Sequence, residues 1–230
     1  MSRIHYSRRF GRTQGATPPA LPRNAVLHGD CVQVLATLPA ACVDFVLTDP
    51  PYLVNYRDRA GRRVANDNDP SWLAPAFREL FRVMREDSLC VSFYGWQAIG
   101  QFDAAWRAAG FRPVGHLVFA KDYASSARFT AMRHESAYVL AKGRPALPRA
   151  ALPDVLPFPY TGNRLHPTQK PVAPLRSVIE AFTTPGQLVL DPFAGSGSTL
   201  AAAQASKRDW LGIELDAGHV AKARTRLAIP

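Results

Sequence analysis

From residue 25 onward, short apolar runs alternate with amphipathic helical patterns. Five of these runs end in acidic or turn residues and are predicted strands: Ala25–Gly29, Asp44–Thr48, Ser88–Tyr94, Gln187–Leu190 and Trp210–Glu214. Most of them lack strict apolar and polar alternation, which is typical of parallel strands buried on both faces. The pattern therefore predicts an α/β protein in which helices cover both faces of a doubly wound, mostly parallel sheet.

Two amphipathic helices and one antiparallel pair complete the predicted framework. Ser71–Arg85 places its large apolar residues on one helical face, with Ser71 as the N-cap, and Ala217–Leu227 forms a second helix headed by Asp216. Val114–Ala120 and Ser136–Ala141 are joined by a long basic segment, which suits a hairpin at a sheet edge. In such a fold, ligands bind at the carboxyl ends of the parallel strands.

Composition and charge narrow the class of protein. The chain has 230 residues, of which 47% are hydrophobic and 20% charged, as in ordinary globular proteins. Its 28 Lys and Arg residues against 18 Asp and Glu residues give a net charge of +10, which favours a polyanionic partner such as nucleic acid. Because no apolar run approaches the roughly 20 residues that span a bilayer, and no secretory leader is recognised, we expect a cytoplasmic protein without membrane contact. The three cysteines are too few and too scattered for a disulfide framework or a four-ligand zinc site.

The chain is expected to contain one domain preceded by an arm. Residues 1–24 carry five arginines and no acidic residue, without a period that could bury one face, so they are expected to be a flexible basic arm. This arm is either a solvated tail or a segment that contacts phosphates. Residues 25–230 are expected to form a single domain, within which 144–165 is a short proline-rich connector, too small for a folded recognition domain.

A glycine-rich turn is the first candidate site. The segment Asp191-Pro192-Phe193-Ala194-Gly195-Ser196-Gly197-Ser198-Thr199 lies between a predicted strand and the helical stretch Leu200–Ala205. Such a turn lets a ligand approach bare backbone, but it matches neither the dinucleotide fingerprint nor the P-loop. The Asp191 carboxylate would repel a pyrophosphate and suits a cationic amino group. Glu214 ends the next strand, from which a carboxylate reaches ribose hydroxyls. The two carboxylates together predict a nucleoside with a positively charged tail, S-adenosylmethionine.

The second candidate site is Asp49-Pro50-Pro51-Tyr52, directly after a buried strand. The two prolines fix their φ angles and donate no N–H, so the Asp49 carboxylate and the Pro50 carbonyl remain as acceptors. Two acceptors that bond the N–H groups of an exocyclic amine localise its lone pair for attack on a sulfonium methyl group. Tyr52 is expected to stack on a base that has left the helix.

Other chemistries fit less well. Methylation at C5 of cytosine needs an activated cysteine, usually after a proline, and none of the cysteines follows one. His134 and His166 are equally well explained as structural histidines, so neither is assigned to catalysis.

Together these motifs resemble the beta class of amino-methylating DNA methyltransferases, in which the catalytic half precedes the cofactor half in a circularly permuted order. The likeness covers residues 25–227. The turn at residues 49–52 matches the catalytic motif of that class, and residues 191–197 match its cofactor motif. The resemblance implies a Rossmann-like fold that uses S-adenosylmethionine.

The resemblance also implies further site residues. Thr168, Gln169 and Lys170 would contact the methionine carboxylate, and Asp30 would hydrogen-bond the cofactor adenine. The complete set of expected cofactor-binding residues is Asp30, Cys31, Thr168, Gln169, Lys170, Asp191, Phe193, Ala194, Gly195, Ser196, Gly197, Ser198, Glu214 and Leu215. The segments Phe119-Ala120-Lys121 and His134-Glu135 are similar to the strand pair that borders the target base, with Phe119 in place of the usual tryptophan.

The expected function is methyl transfer from S-adenosylmethionine to the exocyclic amine of a flipped base in double-stranded DNA. Adenine N6 is favoured because Asp at the first position of the catalytic motif usually accompanies it in this class. Cytosine N4, an RNA base and a protein glutamine amide stay open as acceptors, and so does a catalytically silent DNA-binding or regulatory module.

Sequence recognition is expected to be short or relaxed. With no room for a recognition domain, base reading would come from the loops Asn55–Asp69 and Asp122–Arg133, whose arginines equally suit phosphate contacts. Members of this class often pair as homodimers, while the sequence is silent on a nuclease partner.

Overall fold

The computed structural model describes residues 21–55, 66–162 and 169–229, and within them eight strands form one sheet. In chain order the strands are β1 (Ala25–His28), β2 (Val43–Thr48), β3 (Met84–Phe93), β4 (Arg112–Ala120), β5 (His134–Lys142), β6 (Val155–Pro157), β7 (Leu188–Asp191) and β8 (Asp209–Glu214). Their order across the sheet is β1-β8-β7-β2-β3-β5-β4-β6.

Six α-helices connect these strands in the described part of the chain. They are α1 (Cys31–Thr37), α2 (Leu73–Val83), α3 (Ile99–Ala109), α4 (Val172–Phe182), α5 (Ser198–Ala205) and α6 (Ala217–Leu227). Short 3₁₀ turns at Pro70–Trp72 and Trp96–Ala98 precede α2 and α3.

The sheet is parallel except for β5. The pairs β1–β8, β8–β7, β7–β2, β2–β3 and β4–β6 are parallel, whereas β5 is antiparallel to both β3 and β4. This arrangement confirms the predicted doubly wound, mostly parallel fold with an antiparallel hairpin. It also places the first residues of β5 at the same edge of the sheet as the last residues of the parallel strands.

Two hydrophobic cores flank the sheet. Along β2, Phe45 and Leu47 pack into the core beneath α4, α5 and α6, while Val46 packs into the core beneath α1, α2 and α3. All three side chains are fully buried. Because side chains alternate across a strand, a strand covered on both faces is apolar at consecutive positions. This explains the unbroken apolar runs in the sequence.

Several details differ from the sequence prediction. Ser71 is not the N-cap: Asp69 caps the 3₁₀ turn that Pro70 begins, and its carboxylate accepts from the Ser71 backbone N–H at 2.9 Å. Helix α2 ends at Val83 rather than Arg85, because Met84 turns extended and pairs with Val43.

The predicted hairpin does not form the outermost edge. The short strand β6 lies beyond β4, inside the segment 144–165 that we expected to be only a connector. Helices α1, α3 and α4 were not predicted at all.

The two ends of the described chain meet beside the same part of the sheet. Arg224 in α6 donates to the Val26 carbonyl oxygen at 3.0 Å, and Asn24 donates from its backbone to the Trp210 carbonyl at 2.6 Å. Arg23, in the expected arm, pairs with Asp209, while residues 1–20 lie outside the described residues. Over the described ranges, no helix has the length and apolarity that a membrane span needs.

Candidate active site

The sheet topology brings the two sequence motifs together. Strands β2 and β7 are neighbours, so the residues that follow them lie side by side at the carboxyl edge of the sheet. The hydroxyl of Thr48, the last residue of β2, donates to Asp191 Oδ1 at 3.1 Å. Asp49 directly follows Thr48, the residue that contacts the glycine-rich turn. This proximity is expected for motifs that act on one pair of reactants.

The Asp49–Tyr52 turn is fixed by a hydrogen bond and by a close backbone contact. The Tyr52 hydroxyl donates to Asp49 Oδ1 at 2.7 Å. Gly95, just after β3, lies against the same residue: a Cβ at this position would overlap the Tyr52 carbonyl oxygen and lie 2.8 Å from the Tyr52 Cβ. Only a glycine lets the turn approach the end of β3 this closely.

A chain of alternating charges surrounds Asp49. Lys170 Nζ lies 3.0 Å from Asp49 Oδ2 and also pairs with Glu135 Oε2, and Lys121 Nζ lies 2.7 Å from Glu135 Oε1. The side chains of Lys121 and Lys170 are only 6% and 7% exposed. With two cations and two anions the cluster is neutral overall, which is the condition under which buried charges are tolerated.

We refer to Asp49, Lys170, Glu135 and Lys121 as the charge cluster. Tyr52 belongs to its rim, since the hydroxyl oxygen also lies 3.1 Å from Glu135 Oε2 and Lys170 Nζ lies 5.2 Å from the centre of the ring.

The two carboxylates of the charge cluster have opposite pKa shifts. Burial raises the pKa of Asp49 above its ordinary value, against the opposing charge of Lys170, and the Glu135 charge adds to the rise. Burial also acts to raise the pKa of Glu135, but Lys170 and Lys121 together outweigh it and lower that pKa to about 2. Glu135 therefore stays ionised, whereas Asp49 is the more basic carboxylate of the two.

Asp191 anchors the glycine-rich turn from inside the protein. Its Oδ1 accepts from the Thr48 hydroxyl and from the Phe193 backbone N–H, both at 3.1 Å. Burial raises the pKa of this carboxyl group to about 7. A buried acid with this pKa gains from a nearby positive charge, because such a charge favours its ionised form.

Glu214 joins the turn to the end of β8. Its Oε2 accepts from the Gly195 N–H and its Oε1 from the Asp216 N–H, both at 2.8 Å. Although burial acts against ionisation, bonds from His219 and these backbone groups lower the pKa of Glu214. Gly197 adopts a φ of 80°, in the left-handed region that favours glycine. The turn is thus shaped by glycine conformation and held by an ionised carboxylate.

The remaining predicted cofactor residues lie on both sides of this turn. Asp30 caps α1, with its Oδ1 accepting from the Val32 and Gln33 N–H groups at 3.0 and 3.1 Å. Burial, with the Asp30 charge, raises the pKa of Cys31 to about 12, so its thiol stays protonated. The Leu215 side chain is exposed beside them, and its carbonyl accepts from His28 Nε2 at 3.0 Å.

Other residues of the glycine-rich turn are held by contacts with neighbouring side chains and backbone groups. The Phe193 ring meets Trp72 edge-on, with centroids 5.0 Å apart. Arg226 donates to the Ser196 carbonyl at 3.2 Å and to the Ser198 hydroxyl at 3.0 Å, and Ala194 donates from its backbone to Ile213.

Some of the predicted site residues are outside the described ranges, and others lie next to them. Thr168 and His166 are outside the described residues, as is most of the loop Asn55–Asp69. Gln169 is described, and its carbonyl accepts from the Thr161 hydroxyl at 3.3 Å. Lys170 is described too, but its ammonium group pairs with Asp49 in the Asp49–Tyr52 turn rather than with the glycine-rich turn.

The sequence placed Lys121 and Glu135 in segments similar to those that border the target base but predicted no link from them to Asp49, and it gave no role to Gly95. Lys121 follows β4 and Glu135 is the second residue of β5, so the signal was their position at the two inner ends of the predicted hairpin. Their link to Asp49 through Lys170 depends on β5 lying beside β3, which local sequence does not specify. Gly95 had no local signal of this kind.

Comparisons with known proteins assign the chain to a family. A family model described as DNA methylase, of the N6 and N4 type, matches residues 155–225. YubD of Escherichia coli K12, a protein named as a methylase, is 57% identical over 202 residues, which cover 88% of this chain and 89% of YubD. The DNA adenine methyltransferase YhdJ of the same organism is 26% identical over 89% of this chain and 82% of its own length.

Solved structures share the fold. The complex of M1.HpyAVI with S-adenosylmethionine matches with a TM-score of 0.72 at 20% identity, over 89% of this chain and 99% of the other. The cytosine-N4-specific PvuII DNA methyltransferase matches with a TM-score of 0.72 at 16% identity, over 87% and 85% of the two chains.

The fold and the two motifs therefore define an amino-methylating DNA methyltransferase, a class that uses S-adenosylmethionine. This chain belongs to the N6/N4 DNA methylase family, as its identity to YubD over most of both chains shows. The resemblance recognised in the sequence is confirmed.

The contact between Gly95 and Tyr52 yields a prediction. Gly95→Ala should displace the Asp49–Tyr52 turn and slow methyl transfer to DNA by about 100-fold, because misplacing reacting groups by about 1 Å has an effect of this size. Binding of S-adenosylmethionine, measured by calorimetry, should be unchanged. Gly100→Ala is the matched control, since a Cβ there would meet nothing within 4 Å. Wild-type methylation rates in the Gly95→Ala protein would show that the close contact is dispensable.

Proposed function

We propose that this methyltransferase modifies N6 of adenine in double-stranded DNA, on a base turned out of the helix. The observation that carries the proposal is Asp49, a carboxylate with a raised pKa at the head of a rigid diproline turn, beside the glycine-rich turn. Asp at this first position accompanies adenine N6 methylation in the class that the sequence resembles. The similarity to YhdJ, a DNA adenine methyltransferase, supports the same acceptor.

The residues at the glycine-rich turn fit S-adenosylmethionine. Bound there, it supplies an electrophilic methyl group on a sulfonium centre. We assign Asp191 to its amino group, because a buried carboxylate with a pKa of about 7 favours a cation. Glu214 is assigned to the ribose hydroxyls, and Asp30 with Leu215 to the adenine side of the pocket. Asp30 and Glu214 already accept hydrogen bonds from backbone N–H groups. Because each carboxylate can accept several bonds, both can also accept from the cofactor.

Lys170 is assigned to the catalytic turn. The sequence prediction had placed it on the methionine carboxylate, but its ammonium group bonds Asp49, Glu135 and the Tyr52 hydroxyl. In this position it holds Asp49 in one orientation and compensates its charge. Thr168 and Gln169 remain the proposed contacts of the methionine carboxylate.

The catalytic turn can serve as both a positioning device and a proton acceptor. In the proposed complex, the Asp49 carboxylate and the Pro50 carbonyl each accept one N–H of the target amine, which localises the nitrogen lone pair. Once methylated, the nitrogen carries one proton too many. A carboxylate whose pKa is raised by burial takes that proton more readily than an exposed one. The Tyr52 ring, with its hydroxyl on Asp49, forms a side of the pocket in which the base would stack.

The positive charge of the protein fits DNA as the substrate. The net charge of +10 favours a polyanion, and a protein glutamine acceptor would not require it. We also propose that the protein recognises a short or relaxed DNA sequence, and that the segment between β4 and β5 contacts the bases of that sequence.

Digestion of methylated DNA to nucleosides tests the acceptor. Plasmid DNA from a host without other methylases, incubated with the protein and S-adenosylmethionine, should contain N6-methyldeoxyadenosine. Finding N4-methyldeoxycytidine instead would overturn the adenine assignment while keeping the family. An absence of both would favour the silent module, and single-molecule sequencing of the same DNA would give the modified sequence.

Replacing Asp49 should separate chemistry from cofactor binding. Asp49→Asn keeps the size of the side chain but removes its basicity, and should lower the single-turnover rate by about 100- to 10,000-fold, the range of general-base effects. The affinity for S-adenosylmethionine in calorimetry should be unchanged. Asp103→Asn, at an exposed carboxylate that pairs with Arg107, is the control and should keep the full rate. Full activity of the Asp49→Asn protein would refute the assigned role.

The raised pKa of Asp191 predicts a pH dependence of cofactor binding. The ionised carboxylate attracts the cationic amino group, so protonation below about pH 7 should weaken binding, by up to about tenfold per pH unit. Affinity should level off above pH 7 and decline above about pH 8, where an α-amino group loses its proton. Calorimetric titrations across this range test the profile, and Asp191→Asn should bind more weakly with no slope below pH 7. A wild-type affinity that is constant from about pH 5.5 to 7.5 would contradict the assignment.

A further inference from the structure

The segment between β4 and β5 continues their antiparallel pairing beyond the sheet. Lys121 donates from its backbone to the Arg133 carbonyl at 2.7 Å, and Ser125 donates to the Met132 carbonyl at 2.9 Å. Met132 in turn donates from its backbone to the Ser126 carbonyl at 2.8 Å, and Ala127 bridges Ala131. Arg128 closes the turn by donating to the Thr130 carbonyl at 3.2 Å. We call residues 122–133 the tip hairpin. It has an ordered backbone, with Arg128, Phe129 and Thr130 at its apex.

The apex carries a large apolar side chain that contributes nothing to either core. Phe129 is fully exposed, the most exposed of the large hydrophobic side chains in the part of the chain that the structure describes. Burying a phenylalanine is favourable by a substantial amount, so this side chain would gain free energy from an occupant that covers it.

The tip hairpin is braced at its base and connected to the charge cluster. The Tyr123 ring meets Tyr160 edge-on at 5.3 Å, and Arg133 donates to the Asp122 carbonyl at 3.1 Å. Lys121, the residue before the hairpin, bonds Glu135, which reaches Asp49 through Lys170. Phe129 therefore lies on an element that starts at the proposed base pocket.

Distance and charge favour DNA as the occupant. Six residues separate Glu135 from Phe129, and an extended strand advances about 3.3 Å per residue, so the apex lies at most about 20 Å from the pocket. An apex within this distance can reach a duplex whose target base occupies that pocket. Arg128 precedes Phe129, and Arg133 lies at the hairpin base, so the same element offers positive charge to phosphates.

We infer that Phe129 inserts into the DNA base stack beside the target base and holds the duplex open while that base is in the pocket. The inference rests on the proposed function. Apolar side chains inserted at a base step partially unstack it and distort the duplex. Extruding a base loses its pairing and stacking, and an aromatic ring against the remaining bases replaces part of that stacking without reading sequence. This device needs no folded recognition domain, in agreement with the short 144–165 segment.

The experiment compares two duplexes that contain the sequence modified by the wild-type protein. One is fully paired, and the other has an abasic site opposite the target base, so that no base pair must be broken. Single-turnover methyl transfer from labelled S-adenosylmethionine is measured for Phe129→Ala, Phe129→Trp and Leu147→Ala. Leu147 is the matched control because it is 92% exposed and lies in the 144–165 segment.

Phe129→Ala should slow transfer to the paired duplex by about 10- to 100-fold, the effect of removing one aromatic stacking partner. Its rate on the abasic duplex should remain close to that of the wild type. Phe129→Trp should restore most of the rate on the paired duplex, and Leu147→Ala should match the wild type on both. Cofactor affinity should be the same in all variants.

Three results would overturn the inference. The first is an unchanged rate of Phe129→Ala on the paired duplex, and the second is an equal loss of rate on both duplexes. The third is a wild-type dimer that becomes a monomer in sedimentation when Phe129 is replaced by Ala, which would make a second copy of this chain the occupant. If the wild type methylates neither duplex nor plasmid DNA, the proposed function itself fails and the inference falls with it. A loss confined to Phe129→Ala cannot be confused with that result.

Discussion

The buried charge cluster around Asp49 is the interaction on which the site depends. A lone carboxylate in this position would be protonated or would draw in water, because an isolated charge is strongly disfavoured in a buried setting. Lys170 compensates Asp49, Glu135 compensates Lys170, and Lys121 compensates Glu135. Burial raises the pKa of Asp49 while Lys170 holds the carboxylate in place, and Lys170 and Lys121 together keep Glu135 ionised. Removing Lys170 would leave Asp49 without its partner, and removing Glu135 would leave Lys121 without its partner, the most destabilising kind of change for buried pairs.

The antiparallel strand β5 makes this cluster possible. In a purely parallel sheet, each strand would deliver only its last residues to the carboxyl edge. Because β5 runs in the opposite direction, its second residue, Glu135, reaches the same edge as Asp49 and Asp191. The same reversal lets the chain extend past the edge as the tip hairpin. One topological feature therefore supplies both a carboxylate to the charge cluster and an element that projects from it.

Much of the fold and part of the site could be predicted from the sequence. The apolar runs located five strands because burial on both faces leaves a local signature. Residues 49–52 and 191–197 were predicted as sites because prolines and glycines restrict or free the backbone in ways that local sequence reveals. The contacts of Lys121, Glu135 and Gly95 could not be predicted this way, since they are made across β3, β4 and β5. Strand β6, with three residues among prolines, has no periodicity of its own.

We propose that Asp49, held by Lys170, receives the target amine beside the methyl donor. A crystal structure with a non-reactive cofactor analogue and duplex DNA tests it most directly. We expect an exocyclic adenine amine within about 2.7–3.2 Å of the Asp49 carboxylate and the Pro50 carbonyl, with Lys170 still on Asp49 and the analogue's amino group on Asp191. An analogue more than about a nanometre from Asp49, beyond any reacting distance, or an amine bonded elsewhere, would contradict it.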